Sequence, residues 1–186
     1  MTEKNRACPV ERAGLLDNKI RRWIHNPQKI LAPYIQEGMT VLDFGCGPGF
    51  FTIDLAYMVG NSGKVIASDL QTGMLTKLRN KIQHTDINDR IELHQCHEDK
   101  IGLSAELDFI VAFYVVHEVS DQKKFFDEAK SLLKPGGLIF MSEPPIHVSK
   151  SSFNQSVIIA ENTGFKIIDR PKVFLGQTIL LKKESD

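Results

Sequence analysis

What this sequence lacks removes several classes of protein before any motif is read. Cysteine occurs three times in 186 residues, at Cys8, Cys46 and Cys96. The count is odd, the spacing is wide and no C-x-x-C pair occurs, so neither a disulfide framework nor a paired-cysteine zinc site is expected. Neither sign of charge is in excess, because 23 basic residues face 23 acidic ones. Nucleic-acid binders neutralise phosphates and usually carry a basic surplus. The balance here predicts no nucleic-acid partner. No apolar run approaches the roughly 18 residues of a membrane-spanning helix, and MTEKNRACPVERAG at the start has nothing like a signal peptide. These absences predict a cytoplasmic protein with no membrane partner. Repeats of 20 to 50 residues and low-complexity tracts are also missing.

What remains is ordinary globular material, 42% hydrophobic and 25% charged, of a length that suits one domain with a proper core. Short apolar runs alternate with amphipathic stretches. Strands are predicted at 40–44, 64–68, 91–95, 107–113, 138–142, 165–169 and 178–182, from their length, their β-branched content and the glycines or acids that bound them. The run LDFIVAF at 107–113 is apolar nearly throughout, as a parallel strand buried on both faces should be. Helices are predicted at 50–59, 72–83, 121–133 and 151–163, where apolar residues recur at helical spacing. Asp121 is placed to cap one of them, and Pro135-Gly136-Gly137 to stop it. Strands alternating with helices imply right-handed crossovers. The expected fold is therefore α/β, a doubly wound, mostly parallel sheet between helical layers. The link around Gly176 suits an antiparallel last pair. Residues 1–38, with a helical pattern over about 15–34 broken at Pro27 and Pro33, read as a cap across the open edge. Residues 39–186 read as the core.

In such sheets ligands sit at the carboxyl ends of strands where the strand order reverses. The loop after the first strand reads Asp43-Phe44-Gly45-Cys46-Gly47-Pro48-Gly49. Glycines at alternate positions permit positive φ and close approach of a ligand to backbone, and the next helix offers donor N–H groups. Asp69 follows at the end of the second strand, where a carboxylate can accept both hydroxyls of a ribose. The dinucleotide fingerprint G-x-G-x-x-G needs a third glycine where Phe50 stands. Asp43 would also sit badly beside a pyrophosphate. An acid there suits a ligand with an ammonium or sulfonium group, which points to S-adenosylmethionine over NAD.

VLDFGCGPGFFT at 41–52, Asp69, LDFIVAFYVVHEV at 107–119 and LLKPGGLIFMSEP at 132–144 together resemble the ordered motifs of class I S-adenosylmethionine-dependent methyltransferases of the small-molecule type. The resemblance covers roughly residues 39–186. It implies a Rossmann-like, three-layered fold with a seven-stranded sheet and an antiparallel last strand. It also implies S-adenosylmethionine as cofactor, S-adenosylhomocysteine as product and no metal. The backbone of Gly45, Gly47 and Gly49 would lie against the methionine part, with Asp43 orienting it and the Ala112 carbonyl near its ammonium. Asp69 would hold the ribose and Leu70 the adenine. After the third strand the family supplies an acid near the adenine amine. Here the positions read Cys96-His97-Glu98-Asp99, so His97 stands where the acid is expected, with Glu98 or Asp99 as alternatives.

The sulfonium methyl is already activated, so the protein must align a nucleophile and exclude water. A base is needed only if that nucleophile arrives protonated. His117 is the first candidate, because imidazole takes a proton near neutral pH, and Glu143 is the second. Tyr114, Glu118 and His147 share the same edge. The plainer reading of His117 is a loop-holding residue. His94 and Cys96 near His97 invite a metal, but no second ligand pair follows in sequence. Lys19-Ile20-Arg21-Arg22 with Trp23 reads either as a solvated helix face or as a basic, aromatic contact for an anionic ligand. With no added recognition domain and no charged surplus, the expected acceptor is a small molecule. The alternatives are a protein that binds S-adenosylmethionine without turnover, or one that methylates a partner protein.

Overall fold

The structure, a computed structural model, describes residues 19–184. Cys8 and the start of the expected N-terminal helix, 15–18, lie outside them. Six helices follow: α1 (Lys19–Ile24), α2 (Pro27–Leu31), α3 (Thr52–Met58), α4 (Thr72–Ile82), α5 (Gln122–Leu132) and α6 (Lys150–Asn162). They alternate with seven strands: β1 (Thr40–Phe44), β2 (Lys64–Asp69), β3 (Ile91–Gln95), β4 (Leu107–Phe113), β5 (Leu133–Glu143), β6 (Phe165–Asp169) and β7 (Gln177–Lys183). One sheet holds all seven in the order β3-β2-β1-β4-β5-β7-β6. The first five strands pair in parallel, and β7 runs antiparallel to both β5 and β6. This is the doubly wound architecture with an antiparallel last strand that the sequence predicts.

The side-chain alternation of a strand explains the three layers. Along β4, Phe109, Val111 and Phe113 enter one core with Leu31 of α2, Leu55 of α3 and Leu78 of α4. Ile110 and Ala112 enter the other, with Phe125 and Phe126 of α5 and Phe153 and Val157 of α6. Phe109, Phe126 and Phe140 are wholly buried, each stabilising the fold by about 2–3 kcal/mol relative to exposure. Tyr34 closes the first core by stacking on Phe109, ring centroids 6.3 Å apart. The N-terminal stretch thus does two things. Residues 27–35 contribute Leu31 and Ile35 to the core, while α1 and His25 reach the carboxyl edge, where His25 meets Phe113 and Tyr114.

One local feature departs from the sequence reading. Strand β5 begins at Leu133 rather than at 138, so helix α5 runs directly into it. The Pro135-Gly136-Gly137 turn is absorbed as an irregularity: Gly136 takes φ +76°, and the register against β4 shifts between Leu107 and Phe109. Between β3 and β4, where the sequence reading places no helix, residues 96–106 form an irregular connection. Asp121 caps α5 as expected, its carboxylate accepting the Lys124 N–H at 3.0 Å.

Candidate functional site

Strand order reverses between β1 and β4, because β2 and β3 extend one way from β1 and the chain then crosses back to β4. The crevice at such a switch point is where ligands of open α/β sheets bind. The loop leaving β1 lies there. Gly45, Gly47 and Gly49 adopt φ of +72°, +54° and +90°, a region that residues with a Cβ rarely occupy. Two of them are also closely packed. A Cβ on Gly45 would stand 2.5 Å from Val115 Cγ2, and one on Gly49 2.4 Å from Leu78 Cδ1. Gly45 and Cys46 donate N–H bonds to the Ser68 carbonyl, at 2.8 and 3.0 Å, which ties the loop to the end of β2.

Two acids anchor this loop. Asp69 accepts the Gly47 N–H on Oδ2 at 2.9 Å and the Gln71 N–H on Oδ1 at 2.8 Å. Asp43, only 3% exposed, accepts from the Thr52 hydroxyl at 2.6 Å. No ion pair joins either acid to a cation among the described residues. Burial raises both carboxyls above their ordinary range, and the charge of Asp69 adds to the effect on Asp43, which reaches about 7. Buried acids with no cation paired to them, eased at Asp43 only by the charge of Arg21 and the Thr52 hydrogen bonds, are the expected lining for a positively charged ligand and a poor lining for a phosphate. On the same reasoning the ammonium and sulfonium of S-adenosylmethionine fit this cradle.

Around it, Leu70 is partly exposed and the Leu70 carbonyl accepts from Gln95 Nε2 at 3.3 Å. Cys96 is buried beside Asp69, whose carbonyl accepts its N–H. His97 and Glu98 are exposed in the connection after β3, where the His97 N–H is bonded to the Lys100 carbonyl. Asp99 is committed to Lys124, at 2.8 Å. Ala112, fully buried, is the last residue but one of β4, in register with Phe44 and Met141. Among the described residues no cluster of three or more His, Cys, Asp or Glu side chains is placed to hold a metal. His94 Nε2 instead bonds the Ile101 carbonyl at 2.7 Å.

The edge beyond β4 carries a second group. His117 Nδ1–H donates to Glu143 Oε2 at 2.5 Å, and the His117 backbone N–H donates to Glu143 Oε1 at 3.1 Å. Glu143 is 1% exposed and the imidazole roughly a quarter exposed. Burial pulls the His117 pKa down, but the hydrogen bond and charge of Glu143, aided by Glu118, outweigh it and leave the pKa raised. Burial pushes Glu118 up to about 7. His117 and Glu118 also line an open hollow of about 710 Å³ with Gln122 and Ile159. His147 is exposed and outside this group.

Tyr114 and His25 hold the remaining wall. Tyr114 takes φ +64°, which a non-glycine residue adopts only under constraint. Its hydroxyl donates to the Leu175 carbonyl at 2.5 Å. His25 Nε2–H donates to the Phe174 carbonyl at 2.7 Å. The contribution of His25 and of the β6–β7 loop is invisible in the sequence, because each contact spans well over 50 residues. Thr52, the partner of Asp43, is legible in the sequence: it is the first residue of the helix that the glycine loop feeds.

A family profile described as a methyltransferase domain matches residues 35–175. The chain belongs to this methyltransferase family. Over 112 residues the domain is 31% identical to a demethylmenaquinone methyltransferase of Oceanobacillus iheyensis, a stretch that covers 59% of this chain and 46% of that protein. Over 110 residues it is 28% identical to a ubiquinone/menaquinone biosynthesis C-methyltransferase of an Enterobacter, covering 59% and 44%. The match thus spans less than half the length of these relatives. A crystal structure of a SAM-dependent methyltransferase from Aquifex aeolicus superposes on the methyltransferase domain with a TM-score of 0.84 and 29% identity, over 95% of this chain and 98% of that one. The seven-stranded sheet is accordingly the Rossmann-like methyltransferase fold.

Proposed function

We propose that this methyltransferase domain holds S-adenosylmethionine over the loop after β1 and passes its methyl group to a small-molecule acceptor beside His117. The observation that carries the reading is the pairing of a three-glycine, positive-φ loop with two buried acids, Asp43 and Asp69, to which no cation is paired among the described residues, at the switch point of the sheet. When bound, S-adenosylmethionine supplies a methyl group already activated by the sulfonium charge. The chain supplies the rest.

The backbone at Gly45, Gly47 and Gly49 supports the methionine part, with Asp43 and the Ala112 carbonyl facing its ammonium. Asp69 has one lone pair on each oxygen engaged by Gly47 and Gln71. A carboxylate oxygen keeps a second acceptor position, enough for the two ribose hydroxyls. Leu70 borders the adenine, and His97 and Glu98 stand at its rim. Glu143 fixes the tautomer of His117 by accepting from Nδ1, which leaves Nε2 to take a proton from a hydroxyl of the acceptor. Glu143 is thus a positioning residue and His117 the base. The hollow beside His117 is of a size that suits a small-molecule site. The names of the two relatives, which concern demethylmenaquinone and ubiquinone/menaquinone biosynthesis, favour a quinol-type ring as the acceptor.

Calorimetric titration with S-adenosylmethionine, S-adenosylhomocysteine and NAD tests the reading. Micromolar binding of the first two and none of NAD is expected. Binding of NAD alone would overturn the cofactor assignment while leaving the fold intact.

A further inference from the structure

The basic, aromatic segment at 19–23 reaches the cofactor cradle through Arg21, over the Phe50 ring, and its other neighbours lie elsewhere. Three segments meet at the carboxyl edge: α1 with His25, the turn after β5 (144–150) and the β6–β7 loop (170–176). Side-chain bonds fasten them together. His25 holds the Phe174 carbonyl, Tyr114 holds the Leu175 carbonyl at 2.5 Å, and Gln177 Nε2 donates to the Val148 carbonyl at 2.8 Å. From this fastened rim four apolar side chains face outward. Trp23 is 86% exposed, Ile146 80%, Phe174 67% and Leu175 47%. Single exposed apolar residues need no explanation, but a cluster on one rim does.

The charge of the same rim is one-sided. Residues 21–26, 144–150 and 170–176 contain Arg21, Arg22, Lys150, Arg170 and Lys172 and no Asp or Glu, in a chain whose totals balance at 23 and 23. Arg22 is paired with Asp54, and Arg21 lies 4.4 Å over the Phe50 ring. Lys150, Arg170 and Lys172 are exposed. The acids bordering these segments are Asp54, paired with Arg22, Glu143, buried against His117, and the exposed Asp169, which accepts from the Tyr34 hydroxyl; in sequence Asp17 lies two residues before Lys19. Protruding apolar side chains ringed by cations make an amphipathic surface suited to the headgroup region of an anionic bilayer. Ile146 and Leu175 would gain nothing from base stacking, which argues against a single-stranded nucleic acid.

We infer that this rim docks the protein onto bilayers with anionic headgroups, seating Trp23, Ile146, Phe174 and Leu175 at headgroup level. The expectation of no membrane partner rested on the lack of a long apolar run. Among the described residues no helix is long and apolar enough to cross a membrane, which bears on spanning and not on surface contact.

Trp23 is the only tryptophan in the chain, so its fluorescence reports this surface directly. Titration with phosphatidylglycerol/phosphatidylcholine vesicles should shift its emission to the blue and bring the protein down with the lipid. Pure phosphatidylcholine vesicles should do so weakly, and added salt should weaken binding to the anionic ones. The double variant R170E/K172E should lose tenfold or more in partition to anionic vesicles. I146S/F174S should lose comparable affinity without losing the salt dependence. All four positions are exposed and outside the cofactor cradle, so unchanged thermal unfolding serves as the control for both variants. No partition into anionic vesicles at low salt would overturn the inference. So would partition indifferent to both variants, or binding to a single-stranded RNA oligomer, abolished by R170E/K172E, in place of vesicle binding. The inference stands apart from methyl transfer: vesicle binding by a protein that ignores S-adenosylmethionine would sink the proposed function and leave the surface in place.

Discussion

Asp43 carries an electrostatic load that the Thr52 hydrogen bonds and the charge of Arg21 relieve only in part. Its carboxyl, raised by burial and then by the charge of Asp69, has a pKa of about 7 in the fold and about 4 in an unfolded chain. Between those values the folded state holds more protons than the unfolded one, so stability falls as pH rises through that window. The unliganded protein should therefore lose up to a few kcal/mol between about pH 4 and pH 7, and Asp43→Asn should flatten that slope. Thermal unfolding across pH, variant against parent, measures it; parallel slopes would show that Asp43 is not the source. His117 runs the same way, in a higher pH window. Its raised pKa means that the pair with Glu143 stabilises fully below about pH 6.5 and fades as pH rises through the folded value. If His117 is the base, activity should fall on the acid side with the imidazole's titration. Glu143→Gln should move that limb to lower pH, because the hydrogen-bonded charge that raises His117 is gone. A limb that stays put in the variant would assign it to another group.

Among the elements, Gly49 offers the sharpest test. It combines φ +90° with a Cβ position 2.4 Å from Leu78 Cδ1, so Gly49→Ala should destabilise by about 1–3 kcal/mol. Leu78→Ala in the same chain should return the steric part but not the conformational part. Urea unfolding of both variants separates the two. The legibility of the sequence follows the same division between local and distant causes. Strands β1, β3, β4 and β6 stand where their apolar runs put them, and the cap of α5 stands on Asp121, because local patterning decides those features. The start of β5 at Leu133 was hidden: Pro135-Gly136-Gly137 is turn chemistry, and only pairing with β4 across a register shift keeps it in a strand. The three glycines were readable because few other residues tolerate their backbone. The grip of Asp69 on Gly47, the pairing of His117 with Glu143 and the fastening of the β6–β7 loop by Tyr114 and His25 were not, since each depends on the order of strands in the sheet.

For the molecule as a whole, the cradle joins β1, β2 and β4, so a ligand there should stabilise the entire cooperative unit. At a concentration about 100 times its dissociation constant, S-adenosylmethionine should add about 2.7 kcal/mol. In a domain of this size that corresponds to a rise in Tm of roughly 5–10 °C. A thermal shift assay that shows no rise at saturating ligand would count against the cradle as its seat. The position of β7 bears on how such a unit is made in a cell. Strand β7 follows β6 in the chain yet lies between β5 and β6 in the sheet, so β6 has no strand to pair with until Gln177–Lys183 arrives. On the ribosome the nascent chain must wait, holding the open edge of β5 unpaired while α6 and β6 emerge. A translational pause or premature stop just before Gln177 would release a sheet with one sticky side, a ready client for chaperones and proteases.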